Sequence, residues 1–195
     1  MKLFLILFIL LQFTISVIAQ DDCILKQKQR QLYNEIKLFD QVESKYLGCY
    51  GTKSFIFKKV DSLRLSMPYE EFAMYFNDSS YSLKFYSFMA ILANDDSLAF
   101  QLLKKFINDT TKIKYHFTVG FNYGIIPFNN LIAGEYSSLI KSKYLEGSFY
   151  DSFYHSYYDG IKKNKRTWVL KRNELCNLLA NSNMALLLEE DNCQE

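Results

Sequence analysis

Tyr75-Phe76-Asn77-Asp78-Ser79-Ser80 and Phe106-Ile107-Asn108-Asp109-Thr110-Thr111 are two versions of one phrase, offset by 31 residues (75 to 106). At the same offset Phe72 matches Leu103, Tyr86 matches Phe117 and Phe88 matches Val119. Each copy has apolar residues at helical spacing on either side of a short polar run, so each reads as helix, turn, helix. Asn-Asp-Ser/Thr is turn and cap chemistry, because short side-chain oxygens accept from the free N–H groups that begin the next helix. Pro68 suits a first helical position, and Glu70 and Glu71 in the turn that follows suit the positive end of the helix dipole. The spacing predicts helices over 68–76 and 80–93, then a third running to Ile107 with Asp96 or Ser97 as its cap. A fourth, begun near Thr111, is loosened by Gly120 and Gly124.

A repeat of this length built from helix pairs is a signature of helical solenoids. In the second helix of the first unit, Asp78 precedes Leu83-Lys84, then Ser87, Ala90 and Ile91. This resembles the second helix of a HEAT repeat, where an Asp in the turn precedes an aliphatic–basic pair, two small residues and a leucine-type residue. In the next unit Asp109, Ile113, Lys114 and Gly120 fit, while Phe117 stands at a small-residue position and the spacing is one residue shorter. The resemblance covers residues 68–124 and extends to small secreted bacterial proteins with one or two HEAT-like pairs. It implies an all-α fold of stacked antiparallel helix hairpins and a binding role without catalysis.

Outward from the repeat, residues 24–47 carry Leu25, Leu32, Ile36, Phe39, Val42 and Tyr46 at helical spacing, with Gly48 as a stop. Residues 54–65 fit a second helix, although Phe55-x-Phe57 alternates as a short strand would. A helix is predicted from about Asn129 to Tyr144. Another runs from Thr167, as its cap, to Glu190, with Trp168, Leu170, Leu175, Leu178, Leu179, Met184, Leu186 and Leu187 on its buried side. Its charges oppose the helix dipole, with Lys171 and Arg172 early and Glu189 and Glu190 late.

The N-terminus sets the compartment. Met1-Lys2 is followed by an almost wholly apolar run to Ile18, so residues 1–19 read as a secretory signal peptide cleaved after Ala19. The mature residues 20–195 then form a single all-α domain, secreted or periplasmic, with no stable membrane insertion after cleavage. Seventeen Phe and fifteen Tyr against seven Gly and two Pro argue for a packed core and against disorder. The net charge of +2 gives no sign of a nucleic-acid partner. In an oxidising compartment Cys23, Cys49, Cys176 and Cys193 are disulfide candidates. Local pairs (Cys23–Cys49 and Cys176–Cys193) or a terminal pairing both fit, and each closed loop would contribute about 3 kcal/mol if unstrained. Free thiols are the alternative. Metal binding is not expected, because C-x-x-C is absent and neither histidine lies near a cysteine in sequence.

No local catalytic signature is present. His116 and His155 stand alone, and H-E-x-x-H, G-x-S-x-G and a phosphate loop are absent. The pairs Glu70-Glu71, Asp95-Asp96 and Glu189-Glu190 are adjacent in sequence, so on a helix they point about 100° apart. The best binding candidate is the aromatic stretch 144–158. On a helix Phe149, Phe153 and Tyr157 form one stripe, and Tyr150, Tyr154 and Tyr158 form the next, with His155 beside them. One stripe fits the core. The tyrosine stripe, if exposed, offers rigid amphipathic contact area for a protein or a sugar ring. Lys162-Lys163-Asn164-Lys165-Arg166 reads as a solvated basic loop. Asn77-Asp78-Ser79 and Asn108-Asp109-Thr110 also match the glycosylation acceptor pattern. The expected function is a non-catalytic protein-interaction module without cofactor or metal. The alternatives are a carbohydrate or envelope-polymer binder using Tyr150, Tyr154 and Tyr158, and a small secreted hydrolase.

Overall fold

The middle of the molecule is a helix that is apolar on nearly every side, the pattern of a helix surrounded by protein. This helix, α4 (Tyr81–Asn94), buries Leu83, Phe85, Tyr86, Phe88, Ala90, Ile91 and Leu92. The computed structural model describes residues 24–43, 46–47, 52–117, 122–146, 149–151, 156–158 and 163–182. Within them α1 spans residues 24–37, α2 Phe55–Arg64 and α3 Tyr69–Phe72. A 3-10 turn, Ala73–Asn77, continues α3. Then follow α5 (Asp96–Phe106), α6 (Phe128–Lys141) and α7 (Lys165–Ala180). A wide π-type turn, Ser142–Glu146, extends α6. The α3 segment, its 3-10 turn, α5 and α6 all pack on α4, and α7 packs on α6.

The described chain is mostly helical, but it also holds a three-stranded sheet that the all-α expectation lacks. Strands β1 (Gln41–Glu43), β4 (Lys112–Phe117) and β5 (Asn122–Pro127) lie in the order β1-β4-β5. β1 runs parallel to β4, with Val42 opposite Tyr115, and β4 runs antiparallel to β5, with Ile113 opposite Ile126. Two short antiparallel ribbons complete the strands: β2 (Tyr46–Leu47) with β3 (Thr52–Lys53), and β6 (Phe149–Asp151) with β7 (Ser156–Tyr158).

The first unit of the repeat folds as helix, turn, helix, and Ser80 caps α4 by accepting from Leu83 N–H. The second unit departs after its turn. The helix expected from near Thr111 is the β4–β5 hairpin, because Ile113, Tyr115 and Phe117 fit a strand as well as a helix and β1 supplies a partner edge. The helix expected over 24–47 ends at residue 37, and Gln41–Glu43 pairs with β4 instead. Residues 55–64 resolve as helix, capped by Ser54, which accepts from Phe57 N–H. Asp95, not Asp96 or Ser97, caps α5, accepting from both Ser97 N–H and Leu98 N–H. Asn164, not Thr167, caps α7 and accepts from Thr167 N–H. Leu175 and Leu179 are buried on α7 as expected, whereas Leu170 is 57% exposed. Residues 1–19 and 183–195 lie outside the described residues. Among the described residues no helix is long and apolar enough to cross a membrane.

Candidate functional site

Asp78 and Asp109, the repeated acids, are built into the same local device. Asp78 Oδ1 accepts from Ser80 N–H at 2.8 Å, and Asp109 Oδ1 accepts from Thr111 N–H at 3.1 Å. Each side chain thus closes a small turn of its own. A tyrosine from an earlier helix then binds the carboxylate. Tyr33 of α1 donates to Asp78 Oδ2, and Tyr81 of α4 donates to Asp109 Oδ2 at 2.9 Å. A lysine one turn beyond each tyrosine follows the same plan. Lys37 Nζ lies 3.1 Å from Asp78 Oδ2 and 5.5 Å from the Tyr33 ring centre, while Lys84 Nζ lies 4.3 Å from the Tyr81 ring centre. Burial works to raise the Asp78 carboxyl. The Tyr33 hydroxyl, Ser80 N–H and Lys37 outweigh it and hold the pKa at about 2, against an ordinary 3.8. The bond to that carboxylate raises the Tyr33 phenol.

The first of these devices borders an open cleft of about 500 Å³ between the end of α1, the start of α4 and the start of β4. Lys37, Lys112 and Lys114 line it, and Leu38, Phe39 and Ile113 give it apolar surface. The β4 residues reach it by strand alternation. Lys112 and Lys114 are exposed on one side while Ile113 between them is buried. Leu38 is 85% exposed. The cleft holds one acid, Asp40, whose carboxyl the Lys114 ammonium keeps below its ordinary range. Ser79 and Ser80 stand at the opening where α4 begins, at the positive end of the helix dipole. Ser82 donates its hydroxyl to the Phe39 and Gln41 carbonyls at 2.8 and 2.9 Å, which fixes the α1–β1 corner against α4.

Behind the cleft lies a buried polar knot. Tyr86 Oη accepts from Glu43 N–H at 2.9 Å and donates to the Glu43 carbonyl at 3.0 Å. Ser54 donates to Glu43 Oε2 at 2.6 Å. Ser54 and Tyr86 are almost wholly enclosed, so this knot fastens β1 to α2 and α4 and offers no opening to a substrate.

The binding residues expected from sequence fall elsewhere. Tyr150 lies on β6 opposite Tyr157, and Tyr158 lies on β7 opposite Phe149. Residues 149–151 and 156–158 are extended, so the helical tyrosine stripe does not form there. Tyr154 and His155 lie outside the described residues. Of the disulfide candidates, Cys176 lies on α7, and Cys23, Cys49 and Cys193 lie outside the described residues. Lys163 is exposed, and Lys165 and Arg166 form the first turn of α7, not a loop. His116 lies on β4 opposite Glu43. Among the described residues no group of three or more His, Cys, Asp and Glu could hold a metal ion. The helical expectation for residues 112–114 does not gather the cleft lysines on one face with the α1–β1 corner. Their polar–apolar–polar alternation was the available signal. No family model, curated protein or solved structure matches the chain.

Proposed function

We propose that the chain is a secreted, non-catalytic protein-interaction module, and that the Lys37–Lys112–Lys114 cleft receives an acidic segment of its partner. One observation carries the reading: Lys37, Lys112 and Lys114 ring an open cleft with apolar surface at the positive end of α4, and with Lys37 paired to Asp78 and Lys114 to Asp40, Lys112 brings the excess positive charge. Charge complementarity of this kind steers association and selects acidic partners, while exposed Leu38 supplies apolar contact. The apolar run of residues 1–19 supports export. In an oxidising compartment Cys23, Cys49, Cys176 and Cys193 are available for disulfides. The hairpin formed by the α3 segment and α4 supports a HEAT-like first unit, and the repeat ends where β4 begins.

The test is fluorescence polarisation with a labelled peptide of alternating glutamate and leucine. Reversing two charges, Lys112→Glu with Lys114→Glu, weakens binding by at least about tenfold, or about 1.4 kcal/mol. Raising the salt weakens binding to the unaltered chain. Circular dichroism of the variant stays unchanged, because both lysines are exposed. Binding that ignores charge reversal and salt would sink the proposal.

A further inference from the structure

The repeated turn carries a second chemical pattern that the cleft does not use. Asn77-Asp78-Ser79 and Asn108-Asp109-Thr110 are Asn-x-Ser/Thr acceptors, and the sequence contains the pattern nowhere else. We propose that Asn77 and Asn108 are the two N-glycan acceptors of the exported chain. The inference rests on the reading of residues 1–19 as a secretory leader.

The division of labour within each turn supports it. Asp78 and Asp109 turn inward, where each takes a tyrosine hydroxyl and a backbone N–H. The outer residues of each triplet, Asn77 with Ser79 and Asn108 with Thr110, are exposed. A glycan on either asparagine therefore displaces no buried group. Not every asparagine here is so placed. Asn129 is buried and donates its side-chain Nδ2 to the Ile107 carbonyl at 2.8 Å.

Asn77 makes one surface contact, and the chemistry spares it. Lys105 Nζ donates to Asn77 Oδ1 at 2.8 Å. Glycan transfer uses Nδ2. The amide nitrogen bonds to the anomeric carbon of a polyprenyl diphosphate-linked oligosaccharide. The bond from that carbon to the diphosphate oxygen breaks, and its electron pair leaves with the polyprenyl diphosphate. The lost amide proton passes to a base of the transferase. Oδ1 remains a carbonyl oxygen, free to accept from Lys105. That contact also brings Asn77 to the end of α5, three residues before Asn108, so both acceptors lie at one end of the helix layer. Ser79 lines the cleft, so a glycan on Asn77 stands at its rim.

The experiment expresses the full chain, leader included, in insect cells. The medium and the cells are then analysed by intact mass, by N-terminal sequencing, and by digestion with peptide N-glycosidase in heavy-oxygen water. The expected product begins at Gln20 and carries glycan mass that the enzyme removes, leaving labelled aspartate at positions 77 and 108. Asn77→Gln and Asn108→Gln each remove one glycan. Ser79→Ala and Thr110→Ala do the same while leaving the asparagine in place, and Thr110→Ser keeps the modification. Protein that begins at Gln20 with an unmodified mass overturns the acceptor assignment and leaves the export reading standing. Protein that retains residues 1–19 and carries no glycan overturns both.

Discussion

At the scale of single residues, Asp78 gathers three bonds at one carboxylate. It joins α1 to the turn before α4 through Tyr33, Lys37 and its own bond to Ser80 N–H. Asp78→Asn removes the charge that both partners use and is expected to cost about 1–3 kcal/mol in urea denaturation, the range for a lost charge-assisted bond. The pH dependence has a definite sign. The folded carboxyl sits at about 2 and the ordinary one at 3.8, so the folded state binds its proton less readily. That stabilisation is fully present above about pH 4 and fades as pH falls from 4 towards 2. The melting temperature of Asp78→Asn therefore falls less steeply through that window than that of the unaltered chain. Tyr86 makes the corresponding apolar-side link. Tyr86→Phe keeps the ring but leaves the Glu43 N–H and carbonyl without their partner, at an expected cost of about 1–3 kcal/mol, read from the same urea curves.

At the scale of elements, legibility followed the caps. Helix α4 begins where Ser80 and the turn before it said it would, because capping is local chemistry that four residues can specify. The start of α5 was displaced by one residue from sequence expectation, as Asp95 offers the same carboxylate as Asp96. Residues 112–127 depart from the helical expectation for a different reason. Ile113 and Phe117 are four apart, so they fit a helix face, and Ile113, Tyr115 and Phe117 also alternate. The deciding partner is β1, far off in sequence, and no local window contains it. The cleft inherits that departure, since two of its lysines sit on β4. One glycine shows how closely the hairpin is fitted. A Cβ on Gly124 would stand 2.5 Å from Cε1 of Tyr115, its partner in the β4–β5 ladder. Gly124→Ala must push the end of that partly exposed ring aside, with an expected loss of no more than about 1 kcal/mol, below the range for overpacking a closed core. A double-mutant cycle with Tyr115→Ala isolates the cause, because the penalty shrinks once the ring is gone.

At the scale of the whole molecule, stability is unevenly shared. α4 has protein on nearly every side, whereas among its described residues α7 buries only Leu175 and Leu179. Leu178 is partly buried against the core and Asn164 N–H donates to the Tyr144 carbonyl at 2.9 Å, and an electrostatic link passes through Asp96, at the first turn of α5. Asp96 Oδ2 lies 3.0 Å from Lys171 Nζ of α7 and accepts from the Tyr144 hydroxyl at 2.8 Å. Burial pushes the Asp96 carboxyl up, and Lys171, Tyr144 and Lys143 together hold it below its ordinary range. Elements with few buried apolar contacts open at lower free energy than the core they rest on. Hydrogen exchange should accordingly show α7 amides exchanging well before those of α4. Asp96→Asn should speed exchange in α7 and leave the middle of α4 unchanged. Acidification below the ordinary carboxylate pKa of 3.8 should act in the same direction, because protonation of Asp96 releases Lys171. Equal protection in α7 and α4, or an Asp96→Asn effect spread evenly over both, would mean that α7 opens only with the core.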